Sequence, residues 1–141
     1  MKNSALGLVV LLLCNHCIGA EIKGVSVFVT HEQGQRVTGC NDYCHLYELD
    51  KADNLLQSYF GELPSNEEEA YLMTMEKINS PDWKQLEYEV IEAQKTVIKA
   101  FELGVKKYPA IVINDTFVSY GSLDVAGIMA EFLRREANDE N

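Results

Sequence analysis

Two cysteines, Cys40 and Cys44, are separated by Asn41, Asp42 and Tyr43 and followed at once by His45. A thiol pair at this spacing offers three kinds of chemistry. The first is a structural disulfide. Side chains four apart on a regular helix hold their Cβ atoms about 5–6 Å apart, whereas a disulfide wants roughly 3.5–4.5 Å. Gly39, Asn41 and Asp42 favour a turn, which removes the conflict. The second is thiol–disulfide exchange, in which a protonated His45 folded against Cys44 would lower a thiol pKa. The third is a zinc site built from Cys40, Cys44 and His45, with His31 as a further donor. Its spacing matches no standard short zinc pattern, and thiols in an oxidising space tend to pair. The disulfide staple is the reading adopted, with no catalytic residue, metal or cofactor assigned. His31 reads as a surface loop residue.

The compartment follows from the first twenty residues. Met1 to Ala20 has a charged start at Lys2, an apolar run from Ala5 to Leu13 and small residues at Gly19-Ala20, the order of a cleavable secretory signal peptide. Asn15 and His16 interrupt the run before it reaches the roughly 20 apolar residues of a membrane span. Lipoprotein processing at Cys14 would want a smaller residue than Leu13 before it. Cys14 and Cys17 leave with the leader. Residues 21–141 are then expected to form a single domain ending in a polar tail over 135–141, with no stable membrane anchor after cleavage. An even pair of cysteines in an exported chain makes a disulfide the default.

Charge narrows the partners. Of 141 residues 22 are acidic and 12 basic, a formal net charge of −10, and no Lys/Arg-rich run is present. Nucleic acid and anionic membrane both require positive charge, so neither is expected as a partner. No Gly-rich phosphate loop, nucleophile elbow or H-E-x-x-H pattern occurs. The Glu67-Glu68-Glu69 triplet reads as a solvated first helical turn, where negative charge suits the helix dipole.

The elements that must position these residues are legible from patterning. Val25 to Thr30 is β-branched and aromatic, a buried strand. A polar stretch from His31 to Arg36 follows, and Leu46-Tyr47-Glu48-Leu49 alternates as a short second strand. Asp50 reads as the N-cap of a helix through Leu55, Leu56 and Tyr59, stopped by Gly61. Leu63 to Asn66 breaks the chain before the helix opened by Glu67. Ser80-Pro81-Asp82 opens the longest helix. Along it Trp83, Leu86, Val90, Ala93, Val97 and Phe101 recur at spacings of three and four, with Ile91 and Ile98 widening the stripe, so the whole face is expected in the core. Gly104 ends it. Pro109 opens a strand to Ile113, Asn114-Asp115 turns it, and Thr116 to Tyr120 returns as a hairpin. Gly121-Ser122 then caps a final helix with Val125, Ile128, Met129, Phe132 and Leu133 on one face. The order implies an α/β thioredoxin-like sandwich, a central mixed sheet flanked by helices.

Leu103 to Ile113 resembles the second half of that fold, where a helix runs into an X-Pro opening a strand. The resemblance implies that the Tyr108–Pro109 bond is cis and faces a redox centre. In an oxidoreductase reading, Tyr108 and Pro109 would therefore stand beside Cys40 and Cys44. Redox enzymes of this fold, however, carry two cysteines two residues apart at a helix N-terminus directly after the first strand. Here three residues intervene, and Cys40 lies ten residues beyond Thr30.

An ordered set of segments resembles a narrower family. Val25 to Thr30, Tyr47-Glu48-Leu49-Asp50, Glu62-Leu63-Pro64, Leu103 to Asn114, and Val118-Ser119-Tyr120-Gly121 followed by Asp124-Val125 are similar to small exported proteins of integrating conjugative elements. Those proteins are associated with type IV secretion and mating-pair formation. The resemblance implies a periplasmic accessory or assembly protein that contacts protein components of the conjugative transfer channel. It implies no catalytic residue, and the Cys40–Cys44 segment stands outside its pattern.

Overall fold

The computed structural model describes residues 21–139, so the signal-peptide reading of residues 1–20 lies outside the described residues. Strand β1 (Val25–Val29) leads into a one-turn helix α1 (His31–Gly34) and then β2 (Cys44–Glu48). Three helices follow: α2 (Lys51–Phe60), α3 (Glu67–Ile78) and α4 (Trp83–Glu102). The chain closes with β3 (Ala110–Ile113), β4 (Phe117–Tyr120) and α5 (Val125–Asp139). The sheet order is β2-β1-β3-β4. β1 runs parallel to β2 and antiparallel to β3, and β3 is antiparallel to β4. A parallel βαβ half joined to an antiparallel ββα half is the thioredoxin-like arrangement that the element order implied.

β1 is central, and all five of its residues are buried. Strand residues alternate between faces, and each face has its own cover. Val25, Val27 and Val29 join Ile111 and Ile113 against Val125 and Phe132 of α5. Phe28, Ala110 and Val112 pack on Ala100 of α4. Burying each large apolar side chain contributes about 1.5–3 kcal/mol, so this double-sided strand anchors the fold.

The apolar stripe of α4 is only half covered. Trp83 packs its ring against Tyr59 and Phe60 of α2, with centroids 5.8 and 5.7 Å apart, and Ala93 and Ala100 are buried. Phe101, expected in the core, is 84% exposed, and Val97, Ile91 and Ile98 are also exposed. The reason is geometric. α4 has 20 residues and α2 only 10, so at 1.5 Å per residue α2 spans about half its length. The sheet reaches the last turns from one side, leaving the other side of the stripe bare.

Several details differ from the sequence reading, among them the start of α4, whose N-cap is Asp82 and not Ser80. β2 begins at Cys44 instead of Leu46, because its edge pairs with β1 from Val25 onward. The polar stretch after Thr30 contains a helical turn, held by a capping box in which Thr30 and Gln33 bond each other's backbone N–H. Asp50 holds the N-cap position of α2 as read, but its carboxylate accepts from the backbone N–H of His31 at 2.8 Å and makes no cap bond. The polar tail is helical as far as Asp139, supported one turn earlier by the Glu131–Arg135 pair at i,i+4 spacing.

Candidate functional site

The C-terminal end of β1 is where this architecture gathers its chain crossings. Ala110 pairs with Phe28, which sets Pro109 beside the last residues of β1, and the Tyr108–Pro109 peptide bond is cis. α1 starts at the same end, directly after Thr30. The redox position of the fold is occupied here by Thr30-His31-Glu32-Gln33, which contains no cysteine. His31 is tied down by its backbone N–H to Asp50 and by its Nδ1, 3.3 Å from both carboxylate oxygens of Glu48.

Cys40 and Cys44 are disulfide-bonded, with Cα atoms 5.3 Å apart. The segment between them is a turn: the Cys44 N–H donates to the Asn41 carbonyl at 2.9 Å, and the Tyr43 N–H to Asn41 Oδ1. Gly39 takes a left-handed φ of 71°, and a Cβ there would lie 2.7 Å from the Cβ of Ala126. Thr38 is stitched to the start of α5 through Thr38 N–H to the Leu123 carbonyl and Val125 N–H to the Thr38 carbonyl, both 2.9 Å. The bridge therefore fastens a loop already held against α5, and Cys44 packs on the core face beside Val25. That is the opposite end of the sheet from Pro109. Four residue steps of β1, from Val25 to Val29, separate the two ends, about 13 Å. The structure does not bring Cys40 and Cys44 together with Tyr108 and Pro109.

The zinc donors are likewise dispersed. Cys44 faces the α5 side of the sheet, while its neighbour His45 lies on the α4 side with Tyr47, their rings 6.5 Å apart. His31 is at the far end of β2 against Glu48. Among the described residues no group of three or more His, Cys, Asp or Glu side chains could hold a metal ion.

A groove of about 310 Å³ opens beside Pro109, between the last turns of α4 and the loop into β3. Val97, Ala100 and Phe101 of α4 form one wall, and Leu49, Val105 and Tyr108 complete its apolar lining. Lys106 and Lys107 stand at the rim, the Lys106 N–H donating to the Tyr120 hydroxyl and the Lys107 ammonium 5.2 Å from the Tyr120 ring centroid. Tyr108 is 55% exposed.

The family described as "Protein of unknown function (DUF1525)" matches the chain over residues 24–135. The chain belongs to the DUF1525 family. No curated protein and no solved structure matches it.

In this DUF1525 member the groove was not anticipated from sequence. The signal was the stripe of α4 itself: Ile91, Val97, Ile98 and Phe101 make the apolar arc broader than one packing partner covers. A second feature that patterning could not place is Lys99, which leans over the sheet face. Its ammonium donates to the Tyr47 hydroxyl at 2.9 Å and lies 4.8 Å from the ring centroid, while Tyr47 stacks on Phe28 at 5.1 Å. The bond to Tyr47 raises the Lys99 pKa above its ordinary value, against a smaller desolvation cost. No described helix is long and apolar enough to cross a membrane.

Proposed function

We propose that this protein is a periplasmic accessory or assembly protein of a conjugative type IV secretion apparatus, acting through protein–protein contact. The conjugative role and the compartment rest on the resemblance of the ordered segments and on the signal-peptide pattern of Met1 to Ala20. The contact role is supported by one structural observation above the others: apolar side chains stand exposed on α4 and at Tyr108 beside Pro109. Exposed apolar surface of this kind marks interaction sites. The disulfide serves the fold in this reading, closing the 40–44 turn onto the start of β2.

The test has two arms. Deleting the gene should lower DNA transfer from donor cells, and unchanged transfer frequency would sink the conjugative role. Photocrosslinkers placed in the hairpin from Ala110 to Tyr120 and in the loop from His31 to Cys44 should trap transfer-channel components. Recovery of none from either surface counts against channel contact there.

A further inference from the structure

The groove beside Pro109 has a lining that selects its occupant. Eight residues line it; six are apolar or aromatic, two are lysines and none is acidic. This stands in a chain with 22 acidic and 12 basic residues. A surface that is basic and apolar on an otherwise acidic protein is complementary to a segment that is acidic and apolar.

We infer that the groove is a docking site for an acidic, apolar peptide segment of another protein. An aromatic or aliphatic side chain of that segment enters between Phe101 and Tyr108, the most exposed walls. Its flanking carboxylates meet the ammonium groups of Lys106 and Lys107. Phe101 is thereby removed from water, which its own fold does not achieve.

Two other occupants fit less well. A second copy of the chain would bring another net charge of −10, and like charge of that size opposes association. A stable dimer also engages about 20–30 residues a side, against the eight that line this groove. Residues 136–141 of the chain itself, Glu-Ala-Asn-Asp-Glu-Asn, are acidic but carry no large apolar anchor. The inference rests on the protein-contact reading above, and names the surface and the chemistry of the partner.

The experiment is a selection of random displayed peptides on the purified protein, followed by affinity measurement of the enriched peptides against variants. Enriched peptides should combine Asp or Glu with Leu, Ile, Phe or Trp, and their binding should weaken as salt is raised. Phe101→Asp should weaken binding at least about tenfold, the mark of a contact anchor. Lys106→Glu combined with Lys107→Glu should reverse the charge preference of the selected peptides. Val97→Asp provides a second groove variant should Phe101→Asp misfold, as judged by circular dichroism. Absence of enrichment, enrichment of basic peptides, or equal binding to both groove variants overturns the inference. So does a dimer in sedimentation that Phe101→Asp dissociates, since the second copy is then the occupant. The selection uses no donor cells, so its failure and a failed transfer assay are separate results.

Discussion

Cys44 and Pro109 stand at opposite ends of the central strand: Cys44 is in register with Val25 at its start, and Pro109 precedes Ala110, which pairs with Phe28 near its finish. The disulfide is thus remote from the end at which a thioredoxin-like redox enzyme works, and it should behave as a staple. Equilibration of the purified protein with glutathione, read by thiol alkylation and mass, should give a reduction potential below about −300 mV. A value between about −230 and −120 mV would move the catalytic reading of Cys40 and Cys44 to first place.

Removing the bridge should cost little. The closed loop is so short that the chain-entropy account gives about 2 kcal/mol for Cys40→Ser with Cys44→Ser. Thr38 remains bonded to Leu123 and Val125 without it. Urea unfolding should therefore show a cooperative, modestly destabilised double variant. Loss of the folded state would mean that the backbone stitch depends on the disulfide.

Gly39→Ala should be more damaging than Gly104→Ala. Both glycines have positive φ, 71° and 69°, which costs a side chain about 1–2 kcal/mol. Only at Gly39 does the added Cβ also strike a neighbour, with the backbone nitrogen of Ala126 at 2.8 Å; at Gly104 nothing lies within 4 Å. Overpacking adds about 1–3 kcal/mol. Equal urea midpoints for the two variants would contradict the close approach of the 38–44 loop to α5.

Phe101→Ser should leave stability within about 0.5 kcal/mol of the parent, because the ring is largely in water already. Phe28→Ala should cost about 3–5 kcal/mol, since its ring is fully buried between α4 and the sheet. Thermal unfolding of the two variants checks the claim. A large loss at Phe101 would place that ring in the core.

The Lys99–Tyr47 contact should carry a pH signature. Because Tyr47 raises the Lys99 pKa, the folded state favours the ammonium. Its stabilisation is present below the unfolded value of 10.5 and is lost as pH rises through the higher folded value. A double-mutant cycle with Lys99→Met and Tyr47→Phe at neutral pH should give a coupling of about 0.5–1 kcal/mol, the range for a partly solvated cation–π pair. Coupling that persists unchanged above the folded value would show that the methylene stem, not the charge, makes the contact.

Helix α3 should exchange its amide hydrogens faster than β1 and β3. It has no buried residue, and polar bonds at its last turn tie it to α2: the Tyr59 hydroxyl to the Lys77 carbonyl at 2.9 Å, and the Lys77 ammonium to the Tyr59 and Phe60 carbonyls. Few buried contacts mean a low free energy of local opening. Protection in α3 equal to that of β1 would count against this.

Much of the fold was legible because local patterns and global packing agree. Val25 to Val29 reads as a buried strand and is buried on both faces, and the Pro109 strand and Asn114-Asp115 turn appear where expected, both turn residues having positive φ. The capping-box signature Thr30-x-x-Gln33 is present in the sequence, and it makes a helical turn of a segment whose polarity alone reads as a loop. Asp50 is the N-cap residue of α2 as its neighbours in sequence imply, but only the fold shows that its carboxylate accepts from the His31 N–H, nineteen residues away.

The sequence by itself determined the four strands and the four longer helices, their order and hence the thioredoxin-like sandwich, and it placed Cys40 and Cys44 in a turn able to close a disulfide. These follow from periodicity, turn chemistry and short-range geometry, all of which act over a few residues. The tertiary structure alone decided that Cys44 and Pro109 occupy opposite ends of one sheet, that the zinc donors are scattered, and that half of the α4 stripe meets water. Apolar periodicity records which side chains gain by leaving water, but whether a partner is there to cover them depends on the lengths and positions of α2, α4 and the sheet, which no local pattern contains.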